Sequence, residues 1–236
     1  MHGHWLLSWL DGRTFTKVLK TDLFDEAIGA GLADVMARMT RPGGECHGVD
    51  ISSVLVAKAS ERHPDLNVHC GDVRCLPLAA DRFDLIISDS TLDHFENHTD
   101  LQVALLGLRR DLAPGGLLAI TLDKPQHPLL ALRNRYAAPW MGRSSVLPYA
   151  VGHTLGLRQL SRELRRLGFE LLNSGHLMHA PRLLALHLSR CFPTDGPLAR
   201  VFLPVMLAFE CVARLPTAPF SGHFVAVLAC KPAGSA

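Results

Sequence analysis

Gly71-Asp72-Val73-Arg74-Cys75-Leu76-Pro77, followed shortly by Phe83-Asp84-Leu85-Ile86-Ile87-Ser88, decides how the rest of the chain is read. The second stretch is a nearly continuous apolar run, as in a strand buried on both faces, and the first is a turn bounded by Gly and Pro. Further β-rich runs lie outward from this pair, at Val18–Phe24, Cys46–Ile51, Asn67–Cys70, Gly116–Leu122, Phe169–Ser174 and Phe224–Cys230. Helical patterns separate them at Gly31–Met39, Ser53–Arg62, Thr99–Leu112 and Leu157–Leu167. Serine at the start of the second helix suits an N-cap, and Gly168 after the last suits a left-handed C-cap. The alternation predicts an α/β fold: a doubly wound, mostly parallel, seven-stranded sheet with crossover helices and an antiparallel last strand.

At 236 residues, with 48% apolar and 19% charged side chains, the chain can bury a substantial core. That composition excludes disordered and collagen-like classes and favours one domain over residues 1–236. Two stretches, 123–156 and 183–219, exceed what crossovers need and are expected to be helical insertions covering a site. The second is strongly apolar from Leu183 to Leu215, but Arg190, Pro193, Pro197, Arg200, Pro204, Glu210 and Arg214 interrupt it. No uncharged apolar run reaches the 18 or so residues of a membrane span, although peripheral contact with a membrane stays open. Six cysteines form no CxxC pair and no zinc-spaced cluster, so no metal is expected. Reduced thiols and the lack of a signal-peptide pattern favour a cytoplasmic location. Residues 1–100 carry 9 Lys+Arg against 16 Asp+Glu and the remainder 15 against 6, so the two halves bear opposite fields. With no dense basic run and only three Trp and two Tyr, the chain lacks a nucleic-acid platform.

The first chemistry-bearing stretch is Asp25-Glu26-Ala27-Ile28-Gly29-Ala30-Gly31, read as a strand-to-helix turn whose glycines let a cofactor approach the backbone. A plain turn is the alternative reading. Asp50, with Ile51 next to it, ends the run His47-Gly48-Val49-Asp50 19 residues beyond Gly31, where a carboxylate can accept both hydroxyls of a ribose. It can equally cap the helix near Ser53. A dinucleotide reading places its third glycine on Asp34, and a carboxylate on that first helical turn would repel a pyrophosphate. Lys20-Thr21-Asp22 is unusually polar for a central strand and is placed at the end of the sheet.

With its acidic tip after the second strand, its GD-x-x-x-LP turn at 71–77 and its FDLI strand at 83–86, the sequence resembles the class I S-adenosylmethionine-dependent methyltransferases, in particular the small-molecule group. Leu112-Ala113-Pro114-Gly115-Gly116 matches that family's L-x-PGG turn, and the resemblance covers about Val18 to Leu122. It implies a Rossmann-like fold, S-adenosyl-L-methionine as cofactor and methyl transfer to oxygen, nitrogen or carbon of a small-molecule acceptor. Asp25, Gly29 and Gly31 then serve the methionine end, with Ala27 standing where the family has its first glycine. Asp50 and Ile51 serve the ribose, Asp72 and Val73 the adenine edge, and Ser88 the end of the fourth strand. His94 is the first candidate for a general base, with Asp93 and His153 after it. Tyr149, His179 and Arg182 are candidates to line the acceptor pocket. A lipid or isoprenoid-like acceptor, a non-catalytic cofactor-binding module and a homodimer stay open at this stage.

Overall fold

A computed structural model of the chain describes residues 2–76, 78–124, 154–179, 204, 208–214 and 218–234. Seven strands form one sheet in the order β3-β2-β1-β4-β5-β7-β6: β1 Phe15–Thr21, β2 Thr40–Asp50, β3 Leu66–Cys70, β4 Phe83–Asp89, β5 Leu112–Asp123, β6 Glu170–Leu177 and β7 Phe224–Cys230. β7 runs antiparallel to both β5 and β6, while the pairs among β1 to β5 are parallel. Order and direction agree with the sequence reading of a doubly wound sheet. Helices α1 His2–Leu10, α3 Ala33–Met39, α4 Ser53–Arg62, α5 His98–Asp111 and α6 Leu157–Arg166 cover its faces, and two short helices, α2 Phe24–Ile28 and α7 Ala218–Ser221, lie at its C-terminal edge. No helix among the described residues is long and apolar enough to cross a membrane.

The period of two in the strands sorts side chains between two cores. Phe83 and Ile86 of β4, Leu118, Ile120 and Leu122 of β5 and Val225 and Val227 of β7 pack with α5 and α6. Leu85 and Ile87, Leu117 and Ala119, and Ala226 and Leu228 face the other way, toward α1, α3 and α4. Helix α4 begins as the sequence suggests, with the Ser52 side chain accepting a hydrogen bond from the Leu55 amide at 3.4 Å. Gly168 takes φ of +78° after α6, a conformation that a Cβ disfavours.

Several boundaries differ from the sequence expectation. β1 stops at Thr21 instead of Phe24, and Asp25 to Ala27 form part of a short helix where an open turn was expected. β2 and β5 extend toward their N-terminal ends, and helix α1, absent from the sequence reading, places Trp5, Leu6 and Leu10 on the second core. Most of the stretches 123–156 and 183–219 lies outside the described residues.

The departure at β1 has a specific cause. Lys20, only 2% exposed, pairs with Glu26, 0% exposed, at 2.7 Å, and its ammonium also donates to the Asp22 carbonyl at 2.5 Å. The other Glu26 oxygen accepts from the Leu32 amide at 2.7 Å. Together these bonds fold residues 22–32 back over the end of the strand, so the polar Lys20-Thr21-Asp22 is an anchored strand end. Gly31 is required beneath this loop: it has φ of +52°, and a Cβ there would lie 2.9 Å from the Glu26 nitrogen and closer still to its carboxylate.

Removing one partner of a buried ion pair strands the other charge and costs about 3–5 kcal/mol. Lys20→Met is therefore expected to destabilise the fold by that order, measured by urea unfolding. Lys20→Met combined with Glu26→Gln should recover more than half of the loss; equal losses in single and double variants would show that the two side chains are not coupled.

Candidate functional site

A cavity of about 300 Å³ opens at the C-terminal ends of β1 to β4. It sits where the strand order reverses between β1 and β4, the place at which open α/β sheets leave a crevice between diverging connections. Its walls are Thr21 and Asp22 from the end of β1, Val49, Asp50 and Ile51 from β2, Gly71 to Arg74 after β3, and Thr91, His94 and Phe95 after β4. Two larger clefts lie elsewhere. One, of about 440 Å³, is at the opposite pole and includes Asp84, whose carboxylate is taken by the Thr16 and Lys17 amides. The other, of about 460 Å³, lies on the outer side of α3, β2 and α4. Only the smallest of the three gathers carboxylates, a histidine and apolar walls at a switch point, and we take it as the site.

Asp50 is 8% exposed and works as a clamp: Oδ2 accepts from the Leu23 amide at 2.9 Å and Oδ1 from the Ser52 amide at 2.7 Å. One carboxylate thus ties the turn after β1 to the turn into α4. A carboxylate has about four acceptor sites, so both oxygens retain lone pairs for a ligand. Asp22 accepts from the Phe24 amide at 3.0 Å and has φ of +150°, a value a non-glycine residue rarely adopts and one concentrated at functional sites. Burial pushes its carboxyl up to about 6, against the opposing pull of Lys20.

Asp72 is held by Arg74, whose Nε lies 2.9 Å and Nη2 2.5 Å from Oδ2, and this bonding keeps the carboxyl below its usual range. Arg74 also reaches Asp100 at 3.1 Å and stacks over Phe95 with its guanidinium carbon 5.4 Å from the ring centre. This ladder fixes the wall of the cavity that follows β3. On the β4 side, the Thr21 and Thr91 hydroxyls lie 2.9 Å apart, and Thr91 also donates to the Thr21 carbonyl. His94 stands 45% exposed at the rim with Nε2 4.0 Å from Asp93 Oδ1. Asp93 itself is 1% exposed; its Oδ2 accepts from the Asp123 amide at 2.7 Å, while its Oδ1 is buried without a hydrogen-bond partner. Burial first, then the Asp123 charge, push the Asp93 carboxyl up to about 6.

Of the residues singled out in the sequence, Asp50, Ile51, Asp72, Val73 and His94 line this cavity, with Asp93 behind His94. Asp25, Ala27, Gly29 and Gly31 do not. Asp25 and Ala27 lie in α2, Ala27 is buried at 2% exposure, Gly29 donates to the Asp25 carbonyl, and Gly31 sits under Glu26. The reason is the Lys20–Glu26 pair, which closes this loop on itself and leaves Thr21 and Asp22 at the cavity in its place. Ser88 is also displaced: it is 0% exposed within β4, paired with Ile120 of β5, and its hydroxyl meets no partner. His179 lies beyond β6, away from the cavity lining, with Nδ1 2.8 Å from the Ser221 hydroxyl. Tyr149, His153 and Arg182 fall outside the described residues. Thr21, Asp22, Arg74, Thr91 and Phe95 escaped the sequence reading; the polar strand end was the one visible sign of the first two. Among the described residues, no group of three or more His, Cys, Asp or Glu is arranged to hold a metal ion.

Comparison with known proteins agrees with this architecture. Residues 27–120 match the methyltransferase domain family. A malonyl-(acyl-carrier protein) O-methyltransferase of Xylella fastidiosa is 30% identical over 118 residues, covering 49% of this chain and 39% of that protein. The chain spans between 21% and 44% of the length of the curated relatives it matches. Among solved structures, the N-methyltransferase NodS of Bradyrhizobium japonicum, in complex with S-adenosyl-L-homocysteine, superposes with TM-score 0.61 at 14% identity, covering 98% of this chain and 86% of that one. The (4+2)-cyclase SpnF superposes with TM-score 0.60 at 20% identity, covering 99% and 80%. Both likenesses establish the fold.

The raised Asp93 carboxyl has a consequence for stability. Its usual value is 3.8, and the folded protein moves it to about 6, so between these values the folded state binds the proton more tightly than the unfolded chain. The contribution of Asp93 to stability is then fully present in acid and falls as pH rises through 4 to 6, by on the order of 2–3 kcal/mol for a shift of this size. Asp93→Asn, which keeps an acceptor for the Asp123 amide, should flatten this slope in urea titrations at pH 4.5 and 7.5. An unchanged slope would take Asp93 out of the titration.

Proposed function

We propose, on the premise that residues 27–120 match the methyltransferase domain family, that the chain binds S-adenosyl-L-methionine in the switch-point cavity and methylates a small-molecule acceptor. The observation that supports this most is the charge of the cavity. Asp22, Asp50 and Asp72 converge on it, and Ile51, Val73 and Phe95 supply apolar walls. A ligand with a flat base, a ribose and a cationic sulfonium suits that combination, because carboxylates favour the cation and the ribose hydroxyls while apolar walls accept the base. When bound, the cofactor supplies an electrophilic methyl group whose bond to sulfur breaks as the bond to the acceptor forms, with the electron pair returning to sulfur.

The residues of the chain then have separable tasks. Asp50 accepts from the ribose while holding the two turns together. Asp72 and the Val73 backbone meet the adenine edge, with Arg74 holding the carboxylate of Asp72. The methionine end passes from Asp25, Gly29 and Gly31 to Thr21, Asp22 and Thr91, since these face the cavity. His94 at the rim takes the proton when the acceptor is a hydroxyl or an amine, and Asp93 behind it favours the imidazolium that forms. Alignment and exclusion of water supply the remainder of the acceleration, as suits an in-line displacement.

Calorimetry with S-adenosylmethionine, S-adenosylhomocysteine and NAD tests the cofactor assignment. The first two should bind and NAD should not. Asp50→Asn, which leaves one carbonyl oxygen to accept a backbone amide, should weaken cofactor binding by about tenfold or more, the loss of a charge-assisted bond. Release of S-adenosylhomocysteine in the presence of an acceptor separates a methyltransferase from a module that only binds the cofactor. In that assay His94→Ala should cost on the order of 10²-fold or more in turnover, with cofactor affinity unchanged. A loss below tenfold would remove His94 from the role of base.

A further inference from the structure

At one edge of the sheet β3 pairs with β2, residues 66–70 against 46–50 in register, and two histidines meet across that seam. His47 of β2 is 3% exposed; its Nδ1 lies 3.1 Å from Nε2 of His69 on β3, and its own Nε2 lies 2.9 Å from Glu45 Oε2. The two ring centroids are 5.4 Å apart, with planes inclined by 12°. A nitrogen–nitrogen contact of 3.1 Å at that centroid distance requires both nitrogens to lie on the line between the rings. The imidazoles therefore meet head-on in one plane. The Phe83 ring of β4 packs edge-to-face against His47, with centroids 5.4 Å apart.

Such a contact has room for one proton. A neutral imidazole has one donor and one acceptor nitrogen. Because the Glu45 carboxylate accepts from His47 Nε2, neutral His47 presents a bare Nδ1 to its neighbour, and His69 donates to it from Nε2. One added proton preserves the bond, since a single charge on the pair still leaves one N–H and one lone pair in the gap. A second proton ends it. Each imidazolium carries a hydrogen on both nitrogens, so two hydrogens and two like charges would face each other across 3.1 Å. The surrounding groups set the order of the two protons. Glu45, held below the usual carboxylate range by its bond to His47 and then by Lys17, stays ionised and favours a first proton on His47. Lys17 of β1 and Arg82, just before β4, each stand 3.7 Å from Glu45 Oε2. His69 is held below the usual imidazole range by burial, then by His47, then by Arg82, so it is the ring that takes the second proton.

The strand that carries His69 leads straight into the cavity. Cys70 ends β3, Gly71 donates its amide to the Asp50 carbonyl at 3.0 Å, and residues 71–74 form one wall. His69 also stands in register with Val49 of β2, which lines the same cavity. We propose that His47 and His69 form a one-proton latch on the β3 edge, which holds the 71–74 wall in place near neutrality and releases it when a second proton enters, so that acid lowers the affinity of the cavity for its ligand. That this ligand is S-adenosylmethionine rests on the methyltransferase reading of the cavity; the latch itself rests on the two rings. Its pH window lies on the acid side. The folded chain binds the His69 proton less tightly than the unfolded chain does, so the stability contributed by the latch is fully present above the usual imidazole value of 6.5 and is lost as pH falls through the folded-state value below it.

The test follows the ring protons of His47 and His69 by NMR in the full chain, assigned with His47→Gln and His69→Gln, together with hydrogen exchange of the β3 amides and calorimetry with S-adenosylhomocysteine. Two separated steps are expected, the second below the usual imidazole range. Through that second step the protection of residues 66–74 against exchange should fall about tenfold or more while the β4 amides stay protected. His69→Gln, whose side-chain amide can donate to His47 without taking a proton, should abolish both the second step and the loss of protection. Burial pushes the Asp22 carboxyl in the same cavity up to about 6, so the cofactor readout is the difference between the two chains. At pH 7.5 their affinities should agree within about twofold, and at pH 5.0 the wild-type chain should bind about threefold or more weakly than His69→Gln. Saturating S-adenosylhomocysteine should, by the same linkage, lower the pH of the second step in the wild-type chain. Both rings titrating within the usual range, unchanged protection of β3 through the second step, or equal loss of affinity in the two chains overturns the proposal. Should His69→Gln fail to fold, the titration and exchange of the wild-type chain still decide. A chain whose β3 edge opens at the second step but which binds no S-adenosylhomocysteine would sink the cofactor reading and leave the latch standing.

Discussion

The contact between Lys20 and Glu26 organises the end of the sheet on which the site is built. A lysine in a central strand can be buried only if a carboxylate and further acceptors meet it, and here the carboxylate comes from six residues downstream, on a short helix that the pairing itself holds in place. Because Glu26 also takes the Leu32 amide, the chain between β1 and α3 is drawn into a closed loop with one positive φ at Gly31. The loop then presents to the cavity what lies before it, Thr21 and Asp22, and turns its own glycines away.

A second carboxylate completes the arrangement. Asp50 joins the loop after β1 to the turn after β2 through two backbone amides, so the acidic tip of β2 is both a structural clamp and a wall of the cavity. This double duty makes the floor of the cavity rigid before any ligand arrives, the condition under which polar groups recognise a ligand without reorganising. Asp22 holds its unusual backbone angle between the same two clamps. Strain of this type persists only where the surroundings over-determine it, and Lys20, Glu26 and Asp50 supply that determination.

Away from β1 the C-terminal edge carries charges of both signs. Carboxylates predominate around β1, β2 and β3; the ends of β5 and β6 carry Lys124 and His176. Between them the buried pair Asp93 and Asp123 links the two regions through a backbone amide.

The sequence by itself determined the sheet. Apolar runs of period two at Phe83–Ser88, Gly116–Leu122 and Phe224–Cys230 could satisfy both cores in one arrangement only, and the Ser52 cap and Gly168 marked helix ends through local backbone chemistry. That Asp50, Asp72 and His94 would line one cavity was legible because strand tips and the turns after them have fixed places in such a sheet. Tertiary structure alone decided the rest. Whether Asp25 to Gly31 faces a ligand or the protein depends on one ion pair between residues that no local pattern connects, and the same pair explains the lysine that looked misplaced in β1.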